Sequence, residues 1–303
     1  MKVVLALLLA ISAHAATYYV TISGLGGDPD YDQRFKMWAT DIGTSLKVSG
    51  DPQVITLVAP TRDAVRSRFA ALDHEVKPAD ALVLMLIGHG TFDGYDYKFN
   101  LPGPDLTGTE LATLLDHVPA TRQLVVDMTS SSGGAITFLR KTGRVVITAT
   151  KTGTEKNATV FARYWADALR DPEADTDKND SISALEAFRF AQRKTAESYE
   201  TQKRLATEHA VLEDTGKGEG ERDPSPANGE GQLAAAFPVV RLGANAAAAR
   251  DPRKQPLLEK KEQLEQAIDK LKYDKATIPE DQYKKQLMNL LLELSKTQEA
   301  LDQ

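Results

Sequence analysis

The run Ala81–Ile87 (ALVLMLI) is apolar at every position and closes on Gly88-His89-Gly90. A strand that offers no polar face has to be buried on both sides, which only a sheet with helices on each face provides. The neighbouring segments supply the rest of such a sheet. Tyr18–Ser23 (YYVTIS), Val54–Ala59, Gln123–Asp127 (QLVVD) and Arg144–Ala149 (RVVITA) read as strands, and Ala236–Leu242 reads as a last one. Between them, helical apolar spacing runs through Tyr31–Leu46, with Phe35, Trp38 and Ile42 on one face. Thr61–Leu72 follows, with Thr61 as N-cap and Asp63 in the first turn. Glu110–His117, Gly133–Lys141, Thr159–Leu169 and Ala184–Leu205 complete the helices. Strands alternating with helices predict a three-layer α/β/α fold around a mostly parallel sheet. Functional residues of such sheets sit just past the carboxyl ends of strands, where His89 and Ser130 fall.

Residues 1–15 carry Lys2, an apolar stretch Val3–Ile11 and a small-x-small Ala13-His14-Ala15. This is the pattern of a secretory signal cleaved after Ala15, and it predicts a secreted or periplasmic protein. The stretch falls short of the roughly 20 apolar residues that a bilayer span needs, and no later segment reaches that length, so no membrane span is expected. The chain has no cysteine, so export brings no disulfide and stability has to come from packing and bound ions. A formal charge of −6 argues against a broad basic footprint for nucleic acid.

Residues 16–242 are expected to form the α/β domain. Within them, the polar and Gly-rich Glu213–Gly231 reads as a mobile surface loop. Residues 243–256 (GANAAAARDPRKQP) read as a linker. Residues 257–303 place Leu257, Leu264, Ile268 and Leu271, then Tyr283, Leu287, Leu290, Leu294 and Leu301, at spacings of three, four and seven. Two antiparallel amphipathic helices follow, joined near Lys275–Pro279. Such a hairpin either docks on its own domain or offers a coiled-coil contact to a partner through 257–301.

LMLIGHG at Leu84–Gly90 and LVVDMTSSSGG at Leu124–Gly134, in that order, resemble the two catalytic strand ends of caspase- and legumain-like cysteine peptidases. In that group the first strand brings a His-Gly pair and the second the nucleophilic cysteine, usually within Cys-x-Ser-Gly. The resemblance implies a caspase-hemoglobinase-like fold over Tyr18–Leu242, with the helical hairpin outside it. It also puts Ser130 at the nucleophile position, His89 as the proton-transferring group, and the backbone N–H groups of Gly90 and Ser130 at the oxyanion positions. The stretches GHGTFDGYDYKFNLPGPDLTGTELATLLD and RLATEHAVLED also look like exported bacterial relatives of legumain. A serine hydroxyl stays protonated near neutral pH unless a base adjoins it, so the exchange of thiol for hydroxyl is expected to cost most activity. Two functions follow. One is a non-catalytic module that binds or assembles with a peptide or protein partner, and the alternative is a hydrolase using Ser130 and His89. The hydrolase needs an acid to orient His89, for which Asp93 and Asp127 are candidates. A competing arrangement uses Ser132 in Ser-x-Ser-x-Gly with His209 as base.

Asp175, Asp177, Asn179, Ser181, Ser183 and Glu186 fill positions 1, 3, 5, 7, 9 and 12 of an EF-hand-type loop, with Ile182 at the apolar position 8. Oxygen ligands at those spacings wrap a hard cation, so a structural Ca2+ is expected. Position 6, where Gly supplies a left-handed turn, holds Asp180.

Overall fold

The computed structural model describes residues 15–47, 53–225 and 228–303. The expected export signal lies, up to residue 14, outside the described residues. The chain opens with β1 (Thr17–Ser23), α1 (Pro29–Lys47), β2 (Gln53–Val58), α2 (Arg62–Glu75) and β3 (Ala81–Ile87). A small antiparallel sheet follows, of β4 (Gly90–Phe92), β5 (Tyr97–Phe99) and β6 (Leu106–Thr107). Next come α3 (Gly108–His117), β7 (Arg122–Asp127), the short α4 (Ile136–Leu139), β8 (Arg144–Thr148) and α5 (Phe161–Ala168). β9 (Ser181–Ser183) precedes α6 (Ala184–Thr201), and β10 (Val211–Glu213), α7 (Gln232–Ala235) and β11 (Pro238–Arg241) complete the α/β domain. The chain finishes with α8 (Gly243–Ala248), α9 (Gln255–Tyr273) and α10 (Glu280–Asp302).

The main sheet has the order β10-β8-β7-β3-β1-β2. All its pairings are parallel except that of β10 with β8. On β3, Val83, Met85 and Ile87 enter the core shared with α1, α5 and α6, while Leu82, Leu84 and Leu86 enter the core shared with α2, α3 and α4. This alternation is the reason every residue of β3 is apolar. The edge strand β2 is only partly buried, as a strand covered less completely can be. The expected α/β/α fold with a mostly parallel sheet and a C-terminal helical hairpin is the one observed.

Several local expectations give way to the structure. The loop after His89 contains the β4–β6 sheet, built on Tyr97 and Phe99, both fully buried. The expected helix Gly133–Lys141 is a 3-10 turn at Ser132–Ala135 followed by a single α-helical turn. The strand at Ala236–Leu242 does not join the main sheet, because β11 pairs antiparallel with β9. Residues 243–248 of the expected linker are helical, and Asn245 is buried where its amide donates to the carbonyl of Asn179 at 2.9 Å.

The polar segment after β10 is held by buried carboxylates. Glu213 Oε1 accepts from the backbone N–H groups of Thr215, Lys217 and Gly218, and Asp214 accepts from those of Gly231 and Ala234. Low apolar content therefore does not leave this loop untethered.

α9 docks on the domain through an Arg241–Glu262 ion pair, and the buried Lys261 Nζ donates to Asn179 O at 3.2 Å and to Asn245 Oδ1 at 3.0 Å. α10 runs back along α9, with Lys254 Nζ donating to Leu301 O and Lys260 paired with Glu293.

Candidate functional site

The strand register aligns the carboxyl ends of the sheet. Ser23 pairs with Ile87, Leu86 with Asp127, and Asp127 with Thr148. Three loops consequently meet at one edge: Gly88–Gly90 after β3, Met128–Gly134 after β7 and Ala149–Glu155 after β8. Because β10 is antiparallel to β8, its approach segment brings His209 to the same edge.

Ser130 is buried between these loops. Its hydroxyl donates to the Gly90 carbonyl at 3.1 Å and accepts from the Gly90 N–H, also at 3.1 Å. A Cβ at residue 90 would lie 2.4 Å from the Ser130 carbonyl and 2.7 Å from Thr129 Oγ1, so only glycine permits this approach. The N–H that the resemblance assigns to an oxyanion hole is thus engaged by the hydroxyl that it assigns as nucleophile.

His89 is half-buried against Tyr31 and Phe35, with edge-on ring centroids at 4.8 and 5.2 Å. Burial holds the imidazole below its ordinary value, against the opposing pull of a hydrogen bond to the Gly26 backbone and the charge of Asp28. Among the described residues no hydrogen bond joins His89 to Ser130. Neither candidate acid is bonded to it. Asp93 Oδ1 accepts from the N–H groups of Tyr95 and Asp96. Asp127 Oδ1 accepts from the Thr129 hydroxyl at 2.8 Å, which lies 2.7 Å from the Tyr97 hydroxyl. Asp127 is fully buried, and desolvation pushes its carboxyl up to about 6.

Ser132 likewise has no hydrogen bond to a histidine among the described residues. Its Oγ accepts from the Thr150 N–H at 3.1 Å and contacts Thr150 Oγ1 at 3.2 Å. His209 Nδ1 is 2.5 Å from Glu155 Oε1, and Glu155 Oε2 accepts from the N–H groups of His209 and Lys151. Glu155 is tied to the β7 loop through its carbonyl, which accepts from Ser131 N at 2.9 Å. Ser131 has the left-handed φ of 58°, and its buried Oγ has no partner among the described residues. Sequence reading misses Glu155 because TKTGTEK carries no periodic pattern, and only the β8–β10 pairing brings it to His209.

The EF-hand-type loop lies away from this edge. Carboxylate oxygens of Asp175, Asp177 and Glu186 lie within 4.8 Å of one another. Asp180 adopts the left-handed φ of 64° that position 6 calls for. Asn179 Oδ1 instead caps the N–H of Ser181, Ser181 Oγ accepts from Asn245, and Ser183 is the N-cap of α6 in a capping box with Glu186. Burial, then the charges of Glu186 and Asp175, push the Asp177 carboxyl up to about 6. The donor set is all oxygen and acidic, which suits a hard divalent cation.

No protein-family model matches the chain, and no curated protein sequence matches it. Among solved structures, it aligns with the initiator caspase Dronc of Drosophila over 66% of this chain and 80% of that one, at 10% identity and a TM-score of 0.44. Caspase-1 of Spodoptera frugiperda aligns over 66% and 87%, at 11% identity and a TM-score of 0.47. Protein GSU0716 of Geobacter sulfurreducens aligns over 71% and 97%, at 13% identity and a TM-score of 0.48. These are likenesses of chain course alone.

Proposed function

We propose that this protein is an exported relative of the caspase- and legumain-like peptidases that binds or assembles with a peptide or protein partner without cleaving it. The observation that carries this reading is the engagement of the Ser130 hydroxyl by both backbone groups of Gly90. Acyl transfer needs a free nucleophile, a base in reach and open oxyanion donors. Here one contact occupies the nucleophile and a donor together, and His89 is turned to Tyr31, Phe35 and Gly26. A structural Ca2+ in the Asp175–Glu186 loop belongs to the same reading, supported by the three converging carboxylates and the turn at Asp180. The test is incubation with a library of extended, fluorescein-labelled peptides, followed by polarisation and mass spectrometry. Retention of intact peptides supports the proposal, and defined cleavage products contradict it.

One observation favours a hydrolase of a different make-up. His209 is the histidine at this edge with a carboxylate on Nδ1, and that carboxylate's residue also holds Ser131. A hydrolase built on this edge would draw on His209 and Glu155 in place of His89, and would require Ser131 to become accessible. An active-site serine reagent forming an adduct on Ser131 in the wild type, and not in His209→Ala, would favour it.

A further inference from the structure

α10 carries two apolar stripes. One faces α9: Leu301 packs with Leu258, Thr297 is buried, and Leu290 and Leu294 are half-buried. The second is rotated by about 130° around the helix at 3.6 residues per turn. It consists of Lys284, Met288, Leu291, Leu292, Ser295 and Glu299, all exposed. Met288, Leu291 and Leu292 are 58%, 46% and 53% exposed, within little more than one turn, whereas the other large exposed apolar residues are scattered over the α/β domain. A contiguous apolar patch with a charged rim marks an interaction surface.

The order of side chains along this stripe selects the partner. It runs from a cation at Lys284, through an apolar centre at Leu291 and Leu292, to an anion at Glu299. A helix of that pattern is complementary to itself when reversed. In an isologous two-fold contact, residue i of one copy meets residue j of the other and j meets i. Centred between Leu291 and Leu292, such a contact sets each of these leucines on the other from the second copy. It sets Lys284 on the copy's Glu299 at both ends of a stretch about 22 Å long, at 1.5 Å per residue. The same register sets Asp281 on the copy's Asp302, a like-charge pair at the exposed ends of the helix, where solvent and salt screen it most. The present Lys284–Glu280 contact, with side chains 67% and 78% exposed, is readily exchanged for an interchain pair.

We propose that two copies of this chain associate through antiparallel packing of α10 on α10, which joins two α9–α10 hairpins into a four-helix bundle. The surface is separate from the sheet edge, so the association stands whether or not that edge binds peptide.

The experiment is sedimentation equilibrium of the full chain over a wide concentration range. The wild type is expected to show a monomer–dimer equilibrium, and Leu291→Glu to weaken it roughly tenfold or more, the effect of about 1.4 kcal/mol. Lys284→Glu and Glu299→Lys are each expected to weaken the dimer, and the double exchange Lys284→Glu/Glu299→Lys to restore it. Parallel packing, which sets Lys284 on Lys284, yields no such rescue. A wild type that stays monomeric, a dimer indifferent to Leu291→Glu, or absence of rescue in the double exchange overturns the proposal. The monomeric result would leave the stripe to a partner other than this chain. The exposure of these positions makes loss of folding an unsuitable explanation, which circular dichroism of each variant checks.

Discussion

The Oγ of Ser130 lies 3.1 Å from the backbone N of Gly90 and 3.1 Å from its carbonyl oxygen, so one hydroxyl satisfies both polar groups of a single residue on the neighbouring strand end. All three groups are buried, and a buried backbone group without a partner is costly. Ser130 therefore has a structural task that a thiol, a weak donor and acceptor, would fulfil poorly.

Replacing Ser130 with Ala should leave the Gly90 N–H and C=O without their side-chain partner. The expected loss is about 1–3 kcal/mol, the usual cost of an unsatisfied buried donor. Chemical denaturation of the two proteins measures it. A change near zero would mean that water or a backbone shift replaces the hydroxyl.

Gly90→Ala should be at least as damaging. Its Cβ would meet Ser130 O at 2.4 Å, Thr129 Oγ1 at 2.7 Å and Tyr97 Cε2 at 2.7 Å, all within buried, tightly bonded groups. Overpacking of this kind costs about 1–3 kcal/mol or more. A melting temperature equal to that of the wild type would show that the two strand ends are less closely joined than described.

Calcium should raise the melting temperature through the Asp175–Glu186 loop. Binding to the folded state alone contributes RT ln(1 + [L]/Kd), about 2.7 kcal/mol at a hundredfold excess over Kd. Glu186→Gln removes the charge that holds the ion, and its single amide oxygen can replace only one of two accepting oxygens, since Oε2 accepts from the Ser183 N–H and Oε1 from the N–H groups of Thr176 and Asp177. It should abolish most of the calcium-dependent rise and also lower the calcium-free melting temperature, so the quantity compared is the difference between calcium and chelator in each protein. Asp180→Gly, at φ 64°, should increase stability in both conditions by relieving the left-handed turn. Melting curves that coincide in calcium and in chelator would exclude the ion.

The pH dependence of stability should carry the signature of Glu208. Its carboxylate accepts from the N–H groups of Val160 and Phe161 at the start of α5 and from the Tyr199 hydroxyl, and burial pushes its carboxyl from 4.5 up to about 7. The folded protein holds this proton to higher pH than the unfolded chain does. Unfolding therefore releases a proton between about 4.5 and about 7, and stability falls as pH rises through that window, by up to the order of 3 kcal/mol at 1.36 kcal/mol per unit. Glu208→Gln should flatten the fall. An unchanged profile in the variant would show that other groups set it.

The sheet was open to reading from the sequence because β3, β7 and β8 are buried on both faces and advertise it in unbroken apolar runs. The Thr61 cap of α2 and the hairpin helices were equally legible, since their signals are local. β10 was not, because three residues are too few to show a period and its place is fixed by pairing with β8. α8 escaped notice because an alanine-rich segment beside Gly and Pro has the composition of a linker, and tertiary contacts of Asn245 are what hold it. At the candidate site, strand ends placed His89 and Ser130 on one edge of the sheet. Which atom each side chain meets depends on angles that residue spacing does not encode, and so the Ser130–Gly90 closure and the Glu155–His209 pair emerge only in three dimensions.

The most direct test of the account is reaction of the folded wild type with a fluorophosphonate, with peptide mapping of any adduct and Ser130→Ala alongside. Ser130 is expected to carry no adduct, because its hydroxyl is held by Gly90 and no base adjoins it among the described residues. An adduct on Ser130 that is absent from Ser130→Ala would contradict the account and establish an active serine nucleophile.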